Sequence, residues 1–106
     1  MNEIRAYINY ANLGGTLSFW RTPHGAEVDL IYESARNKNE RIGFEFKTSI
    51  RWKSEFSSVL NDLLDSGILS QAYGVFLGEN PQKVGKLHIF NCELFLERLW
   101  NGKILT

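Results

Sequence analysis

The sequence contains one cysteine, Cys92, among 106 residues. That excludes an internal disulfide and suits a reducing compartment. It has no surplus of charge either: twelve acidic residues balance twelve basic ones, for a formal net charge of zero. A strong global attraction to nucleic acid is thereby excluded, and any phosphate contact has to come from a local patch. No apolar run approaches the roughly 20 residues needed to span a bilayer. The opening residues, Met1-Asn2-Glu3-Ile4-Arg5, lack the apolar segment of a signal peptide. No internal repeat and no low-complexity stretch is present. These absences lead to the expectation of a cytoplasmic protein with no membrane contact. The length fits one domain, with no room for a second of ordinary size. The chain opens in a structured-looking segment, which suits a small whole protein or the end piece of a larger one.

What is present is core material. Apolar residues make up 43% of the chain and aromatic residues 13%, enough to argue against disorder. Residues 3–12 read as a helix, with Ile4, Tyr7, Ile8 and Ala11 at helical spacing and Gly14-Gly15 ending it. Residues 16–21, 26–33 and 41–48 read as three strands, separated by the turn chemistry of Thr22-Pro23-His24-Gly25 and by a polar stretch over 34–40. The period then changes. Ser54 stands as an N-cap before Phe56, Val59, Leu60, Leu63 and Leu64 on one helical face, and Gly67 closes that helix. Residues 72–77 and 86–90 read as further strands, and Cys92 opens a last helix that ends at Asn101-Gly102. The order α-β-β-β-α-β-β-α predicts an α/β fold in which helices flank a small mixed sheet.

The second and third strands carry the chemistry. In a hairpin centred near Asn37, pairing Asp29 with Glu45 also pairs Leu30 with Phe44, Val28 with Phe46 and Tyr32 with Ile42. That register predicts one continuous apolar face. The opposite face then carries Glu27, Asp29, Glu45 and Lys47, because side chains alternate with period two. Two opposed carboxylates repel, at a cost of a few tenths to about 1 kcal/mol. A divalent cation between them removes that cost, and Mg²⁺ is commonly held by one or two carboxylates. Lys47 beside the acids can orient an attacking water or stabilise charge developing on phosphorus. The same spacing is also met by a plain cross-strand ion pair of Glu27 with Lys47 above two solvated acids.

The run Phe19-Trp20-Arg21-Thr22, then Gly25-Ala26-Glu27-Val28-Asp29-Leu30, then Ile42-Gly43-Phe44-Glu45-Phe46-Lys47 resembles the PD-(D/E)XK nuclease superfamily. More closely, it is similar to the nuclease-like domain of unknown function found at the C terminus of many prokaryotic AAA+ ATPases. The resemblance covers nearly the whole chain, and its specific part is residues 19–47. It implies a restriction endonuclease-like αβββαβ core. It implies metal-ligand roles for Asp29 and Glu45, a catalytic role for Lys47, and Mg²⁺ or Mn²⁺ as cofactor. By the same resemblance Glu3, on the first helix, is an accessory acid; Glu27, on the strand face with Asp29 and Glu45, is a second accessory candidate. Val28 stands where the motif's proline would precede Asp29. The helix with a Gln-x-x-x-Tyr motif found in some exonuclease branches is lacking.

Arg21, His24, Arg51 and Lys53, with Trp20 and Trp52 interleaved, lie next to the motif-bearing strand ends and suggest a phosphate-binding rim. The plainer reading makes both tryptophans packing residues and His24 a solvated turn residue. Gly85-Lys86 lacks the spacing and hydroxyl of a phosphate loop. His88 and Cys92 lack the partner pair of a zinc site. Two functions remain: a divalent-metal-dependent nuclease acting on DNA or RNA, or a non-catalytic nuclease-like binding module that is the C-terminal domain or a fragment of an AAA+ ATPase. Nucleic acid, an AAA+ ATPase domain or a second copy of the chain are the expected partners.

Overall fold

The computed structural model describes residues 2–21, 23, 25 and 27–105. Among these the chain runs α1 (Asn2–Tyr10), β1 (Thr16–Arg21), β2 (Glu27–Glu33), β3 (Arg41–Phe46), α2 (Ser54–Asp65), β4 (Gln71–Phe76), β5 (Gln82–Val84), β6 (Leu87–Asn91) and α3 (Cys92–Trp100). The strands form one mixed sheet in the order β1-β2-β3-β4-β6-β5. The first three make an antiparallel meander. β3, β4 and β6 run parallel, and β5 turns back along the edge of β6. This is the mixed α/β architecture that the hydrophobic periods predict, with one strand more than they reveal. β5 has three residues and little burial, so it leaves no apolar pattern to read. It is joined to β6 by Gly85-Lys86, a two-residue turn between the paired Val84 and Leu87, with Gly85 at φ 61°. That positive φ is readily adopted by glycine. Gly85-Lys86 therefore does turn work.

The sheet is buried on both faces. On one side α1 and α3 cover Tyr32, Ile42, Phe44, Tyr73, Val75 and Phe90. On the other, α2 covers Val28, Ile31, Ala72 and Ile89, with Trp52 and Leu69 completing the layer. Side chains such as Phe44, Phe95 and Leu60 have no exposed surface, and each contributes about 1.5–3 kcal/mol on leaving water. The α2 side comes close to the sheet: a Cβ on Gly43 would meet Leu69 at 2.6 Å and Leu60 at 3.1 Å. α2 also starts one residue differently from the expectation. Lys53 is its N-cap and makes no side-chain capping bond, and Ser54 is the first helical residue.

The hairpin register is as expected for Leu30↔Phe44 and Tyr32↔Ile42. The single apolar face is not. β1 pairs Ser18 with Ile31 but Trp20 with Val28, so Asp29 and Leu30 together oppose Phe19. This β-bulge inserts one residue and reverses the alternation. Val28 consequently packs on the α2 side with Ile31, while Leu30 and Tyr32 pack on the α1/α3 side. The face expected to be polar lies largely beneath α2. Among the described residues, no helix is long and apolar enough to cross a membrane.

Candidate active site

Glu45 sits on the α2 side of β3, two residues from Gly43 and paired with Gly74 of β4. The space above Gly74 is filled by the Trp52 ring, which an added Cβ would meet at 2.5 Å. Glu45 is thus walled in, at 8% exposure. Trp52 is held there by its indole Nε1, which donates to Ser57 Oγ at 2.7 Å. This is the packing role, and it leaves Trp52 unable to serve as a stacking surface.

Asp29 reaches the same place from the bulge. Its Oδ2 accepts the Phe46 amide at 2.8 Å, where the β2–β3 ladder has ended. The carboxyl of Asp29 lies within hydrogen-bonding reach of Glu45. Burial first, then that hydrogen bond and the negative charge of Asp29, push the Glu45 carboxyl up from its usual 4.5 to about 8; Lys47 opposes the rise and Glu27 adds to it. That rise favours the protonated form of Glu45. Lys47 follows on the next step of the chain, with Nζ 4.7 Å from the centre of the Phe56 ring. Lys53 approaches the same ring at 5.9 Å, so two ammonium groups lie near Phe56.

Asp29, Glu45 and Lys47 are thus neighbours in space. The other expected residues are placed differently. Glu27 is bound by Arg21, Nη2 to Oε1 at 2.8 Å, so Arg21 is an ion-pair partner, and Glu27 pairs with it instead of with Lys47. Glu3 lies on the opposite layer, where its Oε2 accepts from Trp100 Nε1 at 2.9 Å. The sheet separates it from Glu45, because α1 packs with α3. Arg51 is exposed beside the Ser49 turn. His24 lies outside the described residues. Phe56 stands on the apolar face of α2, and nothing in the local pattern signals its position against Lys47, since the two come from a helix and from the chain after a distant strand.

Lys47 also borders a cavity of about 370 Å³ lined by Phe46, Thr48, Leu77 and Cys92. It opens at the carboxyl ends of the parallel strands β3 and β4, the usual crevice for ligands in such sheets.

Among the described residues no group of three or more His, Cys, Asp or Glu side chains is arranged to hold a metal. Two neighbouring carboxyls do suit an oxygen-seeking divalent ion that completes its shell with water and substrate phosphate. The ion would displace the proton from Glu45.

The fold and site define a mixed α/β domain in which a buried acid, Glu45, meets a half-buried one, Asp29, with an adjacent lysine near the carboxyl ends of its parallel strands. The chain belongs to the DUF4143 family, described as a domain of unknown function, which matches residues 1–95. No match was found among curated proteins or solved structures.

Proposed function

We propose that this domain is a PD-(D/E)XK-type, divalent-metal-dependent phosphodiesterase acting on nucleic acid, in the manner of the nuclease-like domains attached to AAA+ ATPases. The observation that carries this reading is the Asp29–Glu45 pair: two neighbouring carboxyls, one of them pushed up to about 8 by burial and by the other. Perturbed acids of this kind gather at functional sites. A purely structural pair would gain by exchanging one acid for an amide. Asp29 and Glu45 would hold Mg²⁺ or Mn²⁺. Bound there, such an ion polarises a phosphoryl oxygen and lowers the pKa of its water. Glu45 gives up its proton when the pair takes the ion, so binding strengthens as pH rises toward 8. Lys47, swung from the Phe56 ring toward the acids, sets its ammonium against charge developing on phosphorus.

The test is cleavage of single- and double-stranded DNA and RNA with Mg²⁺ or Mn²⁺. Activity that requires the ion and is lost in Asp29→Asn and Lys47→Ala, with circular dichroism unchanged, supports the reading. Activity retained in both variants overturns it. A second reading, a non-catalytic nuclease-like binding module, is favoured by the resting position of Lys47 on Phe56. It predicts no cleavage by the wild type with either metal.

A further inference from the structure

A second pocket lies toward the other end of the parallel strands, on the face of the sheet opposite Glu45. It has a volume of about 190 Å³ and is lined by Tyr73, His88, Phe90, Arg98, Lys103 and Ile104. Its floor is an aromatic ladder. Tyr73 stacks on Phe90 with ring centres 5.8 Å apart, and His88 stacks on both, at 6.1 Å. The Arg98 guanidinium lies over Phe90 at 5.3 Å, which pre-positions it at the rim.

The charge there is of one sign. Arg98 comes from α3, Lys103 from the segment after it, and Lys83 from β5, where it pairs directly with His88. Among the described residues, ion pairs form only between Arg21 and Glu27 and between Arg41 and Glu33, so none of these three cations is neutralised by one. His88 registers the field: burial first, then Lys83 and Arg98, hold its imidazole below the usual range, with no acid opposing them. Glu40 is the acid felt in the pocket, and its influence on Tyr73 is smaller than that of Arg98. The end of a helix accounts for one favourable cation, Arg98 in the last turn of α3. It does not account for a lysine arriving from a separate edge strand. The Tyr73 hydroxyl donates to Gln71 Oε1 at 2.9 Å, so the donors left for a ligand are Arg98, Lys103 and His88.

The volume is below the ~300–1,000 Å³ that takes a whole drug-sized ligand. It suits one compact anionic group. We propose that this pocket is a phosphate-binding site that takes a single phosphoryl group, either free phosphate or one phosphate of a polynucleotide backbone. Arg98 supplies the paired N–H donors that match phosphate geometry, Lys103 a point charge, and the exposed His88 ring a surface for the ligand's remainder. The site does not depend on the nuclease reading, since it shares no residue with Asp29, Glu45 or Lys47.

The experiment is an NMR titration of the full chain with inorganic phosphate and, separately, with a short single-stranded oligodeoxynucleotide, each against chloride of equal ionic strength. Saturable shifts centred on His88, Arg98 and Lys103 are expected. Arg98→Gln with Lys103→Gln weakens binding about tenfold or more, as the loss of charge-assisted hydrogen bonds requires. Lys38→Gln, in the exposed loop before β3, leaves it unchanged. All three side chains are exposed, and amide spectra verify that the variants fold. Binding of free phosphate supports the site, and binding of the oligonucleotide alone supports it with the backbone as ligand. Two results overturn it: no saturable shift with either probe, or equal weakening by Lys38→Gln.

Discussion

Asp29 Oδ2 accepts the Phe46 amide at 2.8 Å, so a side chain continues the β2–β3 edge where main-chain pairing stops. Asp29 thereby does two jobs. As a hydrogen-bond acceptor it holds the strand ends together, and as an acid it faces Glu45. The two jobs separate by substitution. Asparagine can still accept from Phe46, whereas alanine leaves that amide unpaired. Asp29→Ala is expected to lose about 1–3 kcal/mol in urea unfolding, and Asp29→Asn less than about 1 kcal/mol. Equal midpoints for wild type and Asp29→Ala would show that water replaces the carboxylate at no cost.

Glu45 makes stability depend on pH, and the sign is set by its raised value. With a folded value of about 8 against an ordinary 4.5, the folded state binds more protons than the unfolded one between those limits. This contribution is complete below about pH 4.5, declines as pH rises and is gone above about pH 8. At roughly 1.36 kcal/mol per unit, the decline amounts to a few kcal/mol. Glu45→Gln keeps the shape and a donor toward Asp29 but carries no proton to lose. Unfolding between pH 5 and 9 is expected to show a falling curve for wild type and a flatter one for the variant. The variant should be the more stable at pH 9.

Gly74 keeps room for Trp52 above the strand that neighbours Glu45. Gly74→Ala puts a methyl within 2.5 Å of the indole, and buried Trp52 cannot step aside without losing its bond to Ser57. Overpacking of this kind costs about 1–3 kcal/mol, read as a lower urea midpoint. Displacing Trp52 also opens Glu45 to water, so the pH dependence should weaken in the same variant.

Glu3 belongs to the α1/α3 layer, where it accepts from Trp100. Glu3→Gln is expected to leave Mn²⁺ affinity, measured by calorimetry, equal to that of wild type. Under the same conditions Asp29→Asn should abolish it. A fall in affinity for Glu3→Gln would place that acid in the site after all.

Much of this was written in local pattern. The change from period two to helical spacing marks three strands before α2 and the last helix after β6, because each element buries a face and apolar residues must recur at its pitch. The pairing of Leu30 with Phe44 and of Tyr32 with Ile42 follows from the same rule, since a slip of one residue would put charge into the core. The expected pairs of Asp29 with Glu45 and of Val28 with Phe46 lie beyond the end of that ladder; Asp29 reaches Glu45 from the bulge instead. Tertiary structure decided the rest. The bulge opposite Phe19 appears only when β1 pairs with β2, and it turns Val28 and Leu30 to opposite sides. The wall of Trp52 over Gly74 joins a loop to a strand, and it adds to the burial that, with Asp29, raises the Glu45 proton affinity. Lys47 on Phe56 and Lys83 beside Arg98 are likewise meetings of distant segments. Periodicity records which face of an element is buried; it carries no information on which other element will cover that face, and the charges and protonation of both sites depend on that choice.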